Sequence, residues 1–157
     1  MNSQQEFEVN KAAILEVLRS AGATAAVVEY DGSGDSGGVE LMEINGLASR
    51  ELGNALRQTP VTETVVKRRW DAAAGRMDPE PTVTTRASTL EVALENLLWM
   101  AVALASRSGW ENDGGGGGTF TVDVKTGIAT LEHYDNYVDV VHTNWSDGET
   151  AVAEKEL

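Results

Sequence analysis

Over residues 88–107 apolar side chains recur at helical spacing, at Leu90, Leu94, Leu97, Leu98, Ala101 and Leu104. Ser88 and Glu91 stand three apart, as a capping box requires: the hydroxyl accepts from the Glu91 N–H and the carboxylate from the Ser88 N–H. No Gly or Pro interrupts before Gly109, and Arg107 suits the negative C-terminal end of the helix dipole. The pattern predicts a helix over 88–107. From Leu97 to Ala105 it carries no charge. A helix that is apolar all round is buried by its own domain or by a partner. Trp99 lies on the side away from Leu94 and Leu98, which makes it a candidate contact for a partner or a second copy. The alternative is cover by a loop or strand of the same chain. A membrane span needs roughly 20 apolar residues, and Glu91 and Glu95 cut this run to about half that.

After five consecutive glycines, Gly114 to Gly118, the period changes to two. Phe120, Val122 and Val124 alternate with Thr121, Asp123 and Lys125, and Thr126 and Gly127 make a turn. Residues 128–134 alternate again, so this stretch predicts a β-hairpin. Upstream, Phe7, Ile14, Leu15 and Leu18 line one face of a helix over 6–21 that Gly22 closes. Residues 23–30 and 39–44 predict two antiparallel strands joined by a Gly/Asp/Ser turn. A short helix over 48–58 ends before Pro60. β-branched residues favour a strand over 61–70, with a loop at 71–77 and a return strand at 82–85. Residues 137–142 alternate weakly and add a further strand. The expected fold is α+β: a mainly antiparallel sheet built from β-hairpins, with two principal helices packed on one face. Residues 1–145 form a single domain in this reading, and 146–157 an acidic C-terminal tail.

Charge sharpens this picture. The 157-residue chain has a net charge of −13, distributed unevenly. Residues 1–60 carry net −5, 61–90 net +1 and 91–157 net −9. Such a field repels nucleic acid and anionic membranes, whose binders present Lys and Arg. It attracts a basic protein surface. The absence of cysteine excludes disulfides and thiolate sites and fits a reducing cytoplasm. The N-terminal residues show no basic and apolar targeting pattern, so a cytoplasmic location is expected.

Several motifs suggest chemistry and fall short of it. Gly34, Asp35, Ser36, Gly37 and Gly38 spell the surroundings of a serine-protease nucleophile. That nucleophile needs a His base and an orienting carboxylate upstream, and no His precedes Ser36. A hydrolase elbow needs a helix after the Ser, whereas residues from Val39 read as a strand. Asp31, Ser33 and Asp35 offer oxygens to a divalent cation, but the twelfth position of a calcium-binding loop falls on Met42. A weaker cation site would use Asp31 and Asp35 with Asp113 from the second Gly/Asp loop. Gly114 to Gly118 lack the Lys and the following helix of a phosphate loop, so they read as a flexible connector. His133 and Asp135 share one face of a strand, with Asp139 and His142 near in sequence. A surface His beside carboxylates is the plainer reading than a metal site.

Two segments resemble a known family. Tyr30, Asp31, Gly32, Ser33, Gly34, Asp35, Ser36 and Gly37 form the first. Gly109, Trp110, Glu111, Asn112, Asp113, Gly114 and Gly115 form the second, followed by the strand from Thr119 to Val124 and the Thr130 to His133 segment. Together they are similar to a family of small acidic bacterial proteins, often carried on plasmids and phages, whose role is uncharacterised. The resemblance brings no activity with it. It implies a mobile-element setting, in which small acidic proteins that block a host nucleic-acid-binding machine are one known kind.

The reading that follows is a non-enzymatic interaction protein. Glu111, Asp113, Asp123, Glu132, Asp135 and Asp139, with Trp99, are the expected partner-binding residues, and the partner is a basic protein surface rather than nucleic acid or a membrane. Inhibition of a host defence system by DNA mimicry is the specific form expected. Two alternatives stay open. One is a divalent-metal module or metal-dependent enzyme using Asp31, Asp35 and Asp113. The other is a homo-oligomeric structural protein, such as a homodimer through Trp99. No catalytic residue is assigned.

Overall fold

The structure, a computed structural model, describes residues 1–33, 36–77, 80–105, 115–135 and 141–147. The chain opens with α1 (Ser3–Ala21). Asn2 caps it through a full capping box with Gln5, so the helix starts three residues earlier than its apolar periodicity alone suggests. Gly22, at φ 80°, ends it in the left-handed conformation. β1 (Ala25–Ser33) and β2 (Ser36–Asn45) then form a hairpin with a register shift at Glu29 and Tyr30. The expected turn at 31–38 is mostly strand, because Asp31 pairs with Gly38 and Ser33 with Ser36.

A short α2 (Arg50–Leu56) is capped by Ser49. β3 (Pro60–Lys67) and β6 (Thr82–Thr89) pair along their whole length. Between them β4 (Trp70–Asp71) and β5 (Arg76–Met77) make a small ribbon where a plain loop was expected. Asp71 holds its turn by accepting from the N–H groups of Ala73 and Ala74. β6 runs straight into α3 (Leu90–Leu104). Its cap is Thr89, whose hydroxyl accepts from Val92 at 3.3 Å, and not Ser88. Pairing with Val61 draws Ser88 into β6, and Glu91 forms an ion pair with Arg57 instead of reaching back. Residues 106 and 107 of the expected helix lie outside the described residues.

The second half supplies β7 (Gly116–Asp123), β8 (Ala129–Asp135) and β9 (Val141–Ser146). These join the first hairpin in one antiparallel five-stranded sheet, ordered β2-β1-β7-β8-β9. Period-two alternation divides it cleanly. Ala26, Val28 and Tyr30, with Phe120, Val122, Ala129 and Leu131, are buried on one face. They form a single core with Phe7, Ile14 and Leu18 of α1 and Leu94, Leu97, Leu98 and Ala101 of α3. Burying each large side chain contributes about 1.5–3 kcal/mol before the cost of ordering the chain. The molecule is thus an α+β domain with both long helices on one face of the sheet.

Polar side chains tie the layers together. On α1 the Asn10 amide imitates a neighbouring strand: it donates to the Thr64 carbonyl at 2.9 Å and accepts from the Thr64 N–H at 2.8 Å. One turn earlier Glu6 accepts from the Val66 N–H. The free edge of β3 is therefore covered by a helix, as sheet edges require. Buried Glu63 accepts from Arg86 of β6 and from Asn96 of α3. At the far end Asp147, expected in an acidic tail, has a side chain only 1% exposed. It is ion-paired with Lys11 and accepts from the Ala129 N–H. The ordered structure therefore continues past the expected boundary at 145. No helix among the described residues is long and apolar enough to cross a membrane.

Candidate functional site: the open face of the sheet

Both helices pack on one side, so the opposite face of the sheet has no covering layer among the described residues. Its composition follows from the register. Leu41, Glu29, Thr119, Glu132 and Asn144 form one row across all five strands. Glu43, Val27, Thr121, Thr130 and Ser146 form the next. Asn45, Ala25 and Asp123 lie beyond it, and Asp31 and Gly117 on the other side. Glu29, Asp31, Asp123 and Glu132 are exposed and Glu43 is half-buried. Among the described side chains of these rows none is basic. A half-buried threonine strip, with Val27 and Leu41 beside it, is thus bordered by five carboxylates.

Of the partner-binding residues expected from sequence, Asp123 and Glu132 stand on this face. Glu111, Asp113 and Asp139 lie outside the described residues. Asp135 is placed by its backbone, opposite Gly116, and its side chain lies outside the described set. Trp99 is elsewhere. It projects from α3 to the helix side of the sheet, where its ring meets Tyr30 edge-on at 5.6 Å and its Nε1 donates to Glu95. A strand of its own chain covers it in part, so Trp99 and the two carboxylates do not share a surface. Glu29 and Glu43 were missed in the sequence. Their alternation was visible, but only the β1–β7 pairing brings the first hairpin beside Asp123 and Glu132.

Beneath one end of this face lies a buried polar cluster. The Tyr30 hydroxyl and His133 Nδ1 are 2.6 Å apart in a hydrogen bond, with their rings stacked. His133 is 1% exposed, which overturns its reading as a surface residue. The two stand on β1 and β8, with Gly118 of β7 between them. A Cβ at Gly118 would lie 2.7 Å from the Tyr30 hydroxyl and 2.2 Å from the Glu132 carbonyl oxygen. A Cβ at Gly117 would lie 2.5 Å from the Tyr30 carbonyl oxygen. Gly117 and Gly118 are therefore strand residues selected for close approach, and Gly116 opens the same strand, so these three are not a flexible connector.

The cation reading finds one of its three residues described. Asp31 accepts from the Gly32 N–H at 2.7 Å, a local turn contact. Asp35 and Asp113 lie outside the described residues, although Gly32 pairs with Gly116, so the flanks of the two Gly/Asp loops are adjacent. Among the described residues no three His, Asp or Glu side chains converge as metal ligands would. Ser36 sits at the start of β2 and no helix follows it, so the hydrolase-elbow arrangement is not formed. A groove between β2 and α2 includes Glu43, Ser49, Arg50 and Arg57 in its lining but no His. Ser49 there caps α2, and Arg57 is engaged by Glu91 and the Met42 carbonyl.

The fold and its open face define a two-layer α+β domain that presents an acidic sheet surface. Residues 6–146 match the model of a family described as a family of unknown function, DUF6878, and the chain belongs to that family. No curated protein and no solved structure matches it.

Proposed function

We propose that the protein is a non-enzymatic interaction module whose open sheet face docks a basic protein surface. One observation carries the reading: Glu29, Asp31, Glu43, Asp123 and Glu132 border cross-strand rows that hold no described basic side chain. Carboxylates around a less polar centre favour encounter with a Lys/Arg-rich patch and set its orientation. The net charge of −13 adds long-range attraction of the same sign. The specific form we favour is a mobile-element inhibitor that occupies the DNA-binding groove of a host defence protein. The same carboxylates would then stand where phosphates bind. An NMR titration of the full chain with an oligoarginine peptide tests the docking. The expected result is amide shifts confined to the outer-face residues of β1, β2, β7 and β8, weakening as salt is raised. Shifts scattered over the helices, or none, would remove the reading.

A further inference from the structure

The hairpin from β3 to β6 ends in a projecting arm of opposite character to the rest of the molecule. Every residue from 67 to 77 is exposed. Lys67, Arg68, Arg69 and Arg76 lie there against one acid, Asp71, whose carboxylate accepts from the Ala73 and Ala74 N–H groups of the turn. Among the described residues Lys67, Arg69 and Arg76 form no ion pair. At the tip Trp70 pairs across the ribbon with Met77, and they are 63% and 45% exposed. An unpacked Trp–Met pair ringed by cations is costly in water and has the composition of an interface anchor. Among the described residues the arm adds nothing to the core, which closes below it at Val61 and Glu63, and Arg68 at its base donates to the Met1 carbonyl.

We infer that the arm docks on the acidic sheet face of a second copy of this chain. The complement is present in the same sequence. Glu29 and Glu132 match the arm's cations, and Val27 and Leu41, the latter 39% exposed, offer apolar contact to Trp70 and Met77. Five strands spaced about 4.8 Å apart make a face wide enough to seat a two-stranded ribbon. The net charge of −13 disfavours a nucleic acid or an anionic membrane as the occupant, whereas a second copy brings its own cationic element to the acidic face. The contact joins two different surfaces, so it closes as a reciprocal pair or a ring where the rotation allows, and otherwise extends as a filament. This inference rests on the docking role proposed for the sheet face and names one partner for it.

Sedimentation velocity of the full chain at low and high salt tests it. The expected result is concentration-dependent association at low salt that dissolves at high salt. Arg69→Glu/Arg76→Glu should be monomeric, as should Glu29→Lys/Glu132→Lys, and Trp70→Ser should weaken association about tenfold or more. All these positions are exposed, so melting temperatures should stay near that of the wild type. An equimolar mixture of the two charge-reversed variants should associate again, because each arm then meets a face of opposite sign. A wild type that is monomeric at low salt overturns the inference. So does association that survives the arm variants, or an arm that shifts a duplex DNA oligomer while the protein stays monomeric. Oligoarginine binding to the sheet face of a monomeric protein would overturn this inference alone and leave the docking role standing.

Discussion

Tyr30 and His133 share a hydrogen bond of 2.6 Å although a whole strand, β7, runs between the strands that carry them. The contact exists because the intervening position is Gly118, which puts no side chain between the two rings. Trp99 closes the cluster from α3. Gly118 is thus explained by its neighbours: a large aromatic pair needs an empty place on the strand between.

Replacing Gly118 by Ala should therefore destabilise the fold well beyond the usual cost of a surface substitution. The new methyl group meets the Glu132 carbonyl oxygen, which is backbone and cannot turn aside. Overpacking of this kind costs about 2–3 kcal/mol, equivalent to a fall of roughly 6–10 °C in melting temperature at this size. Thermal unfolding followed by circular dichroism measures it. A melting temperature equal to that of the wild type would mean that Tyr30 and His133 do not meet over this residue.

Lys11 and Asp147 make the corresponding test for the C-terminal end of the fold. Lys11→Met leaves the Asp147 carboxylate buried with the Ala129 N–H as its described partner. An uncompensated buried charge costs about 3 kcal/mol. Adding Asp147→Asn removes the charge and keeps an oxygen for the Ala129 N–H, so the double variant should recover most of the loss. Urea unfolding of the three variants reads this cycle. Additive effects would place Asp147 outside the packed structure.

The buried Glu63 gives a graded prediction for the base of the arm. Arg86 is half exposed and returns to water when its partner is lost, whereas Glu63 cannot. Arg86→Ala should thus cost more than Glu63→Gln, about 2–3 against about 1 kcal/mol. Equal losses in urea unfolding would contradict the asymmetry.

The sequence carried the fold class through two periods: 3.6 for the helices, marked by Phe7, Ile14 and Leu18, and two for Phe120, Val122 and Val124. What it withheld was long-range. Nothing local says that β1 pairs with β7, and that pairing alone gathers Glu29 and Asp123 on one face. Local rules also misread positions that tertiary contacts decide. Ser88 has the right spacing for a cap but is claimed by β6, so Thr89 caps the helix. Gly117 and Gly118 have the composition of a linker, but a Cβ at either would collide with the neighbouring strands, and Gly118 is the empty place between Tyr30 and His133. Residues 71–77 looked like a plain loop, because an exposed ribbon buries nothing and so leaves no apolar alternation. The family match over residues 6–146 brings no chemistry with it.

We propose that the acidic sheet face, and not the overall charge, is what a basic partner recognises. Two double variants separate these ideas, because they change the net charge equally. Glu29→Gln/Glu132→Gln neutralises the face, and Glu16→Gln/Glu51→Gln neutralises exposed acids on α1 and α2. Oligoarginine affinity by calorimetry at low salt should fall about tenfold for the first pair and stay near the wild-type value for the second. Equal losses for the two pairs would show that the protein attracts cations by its charge alone, and the sheet face would lose its role.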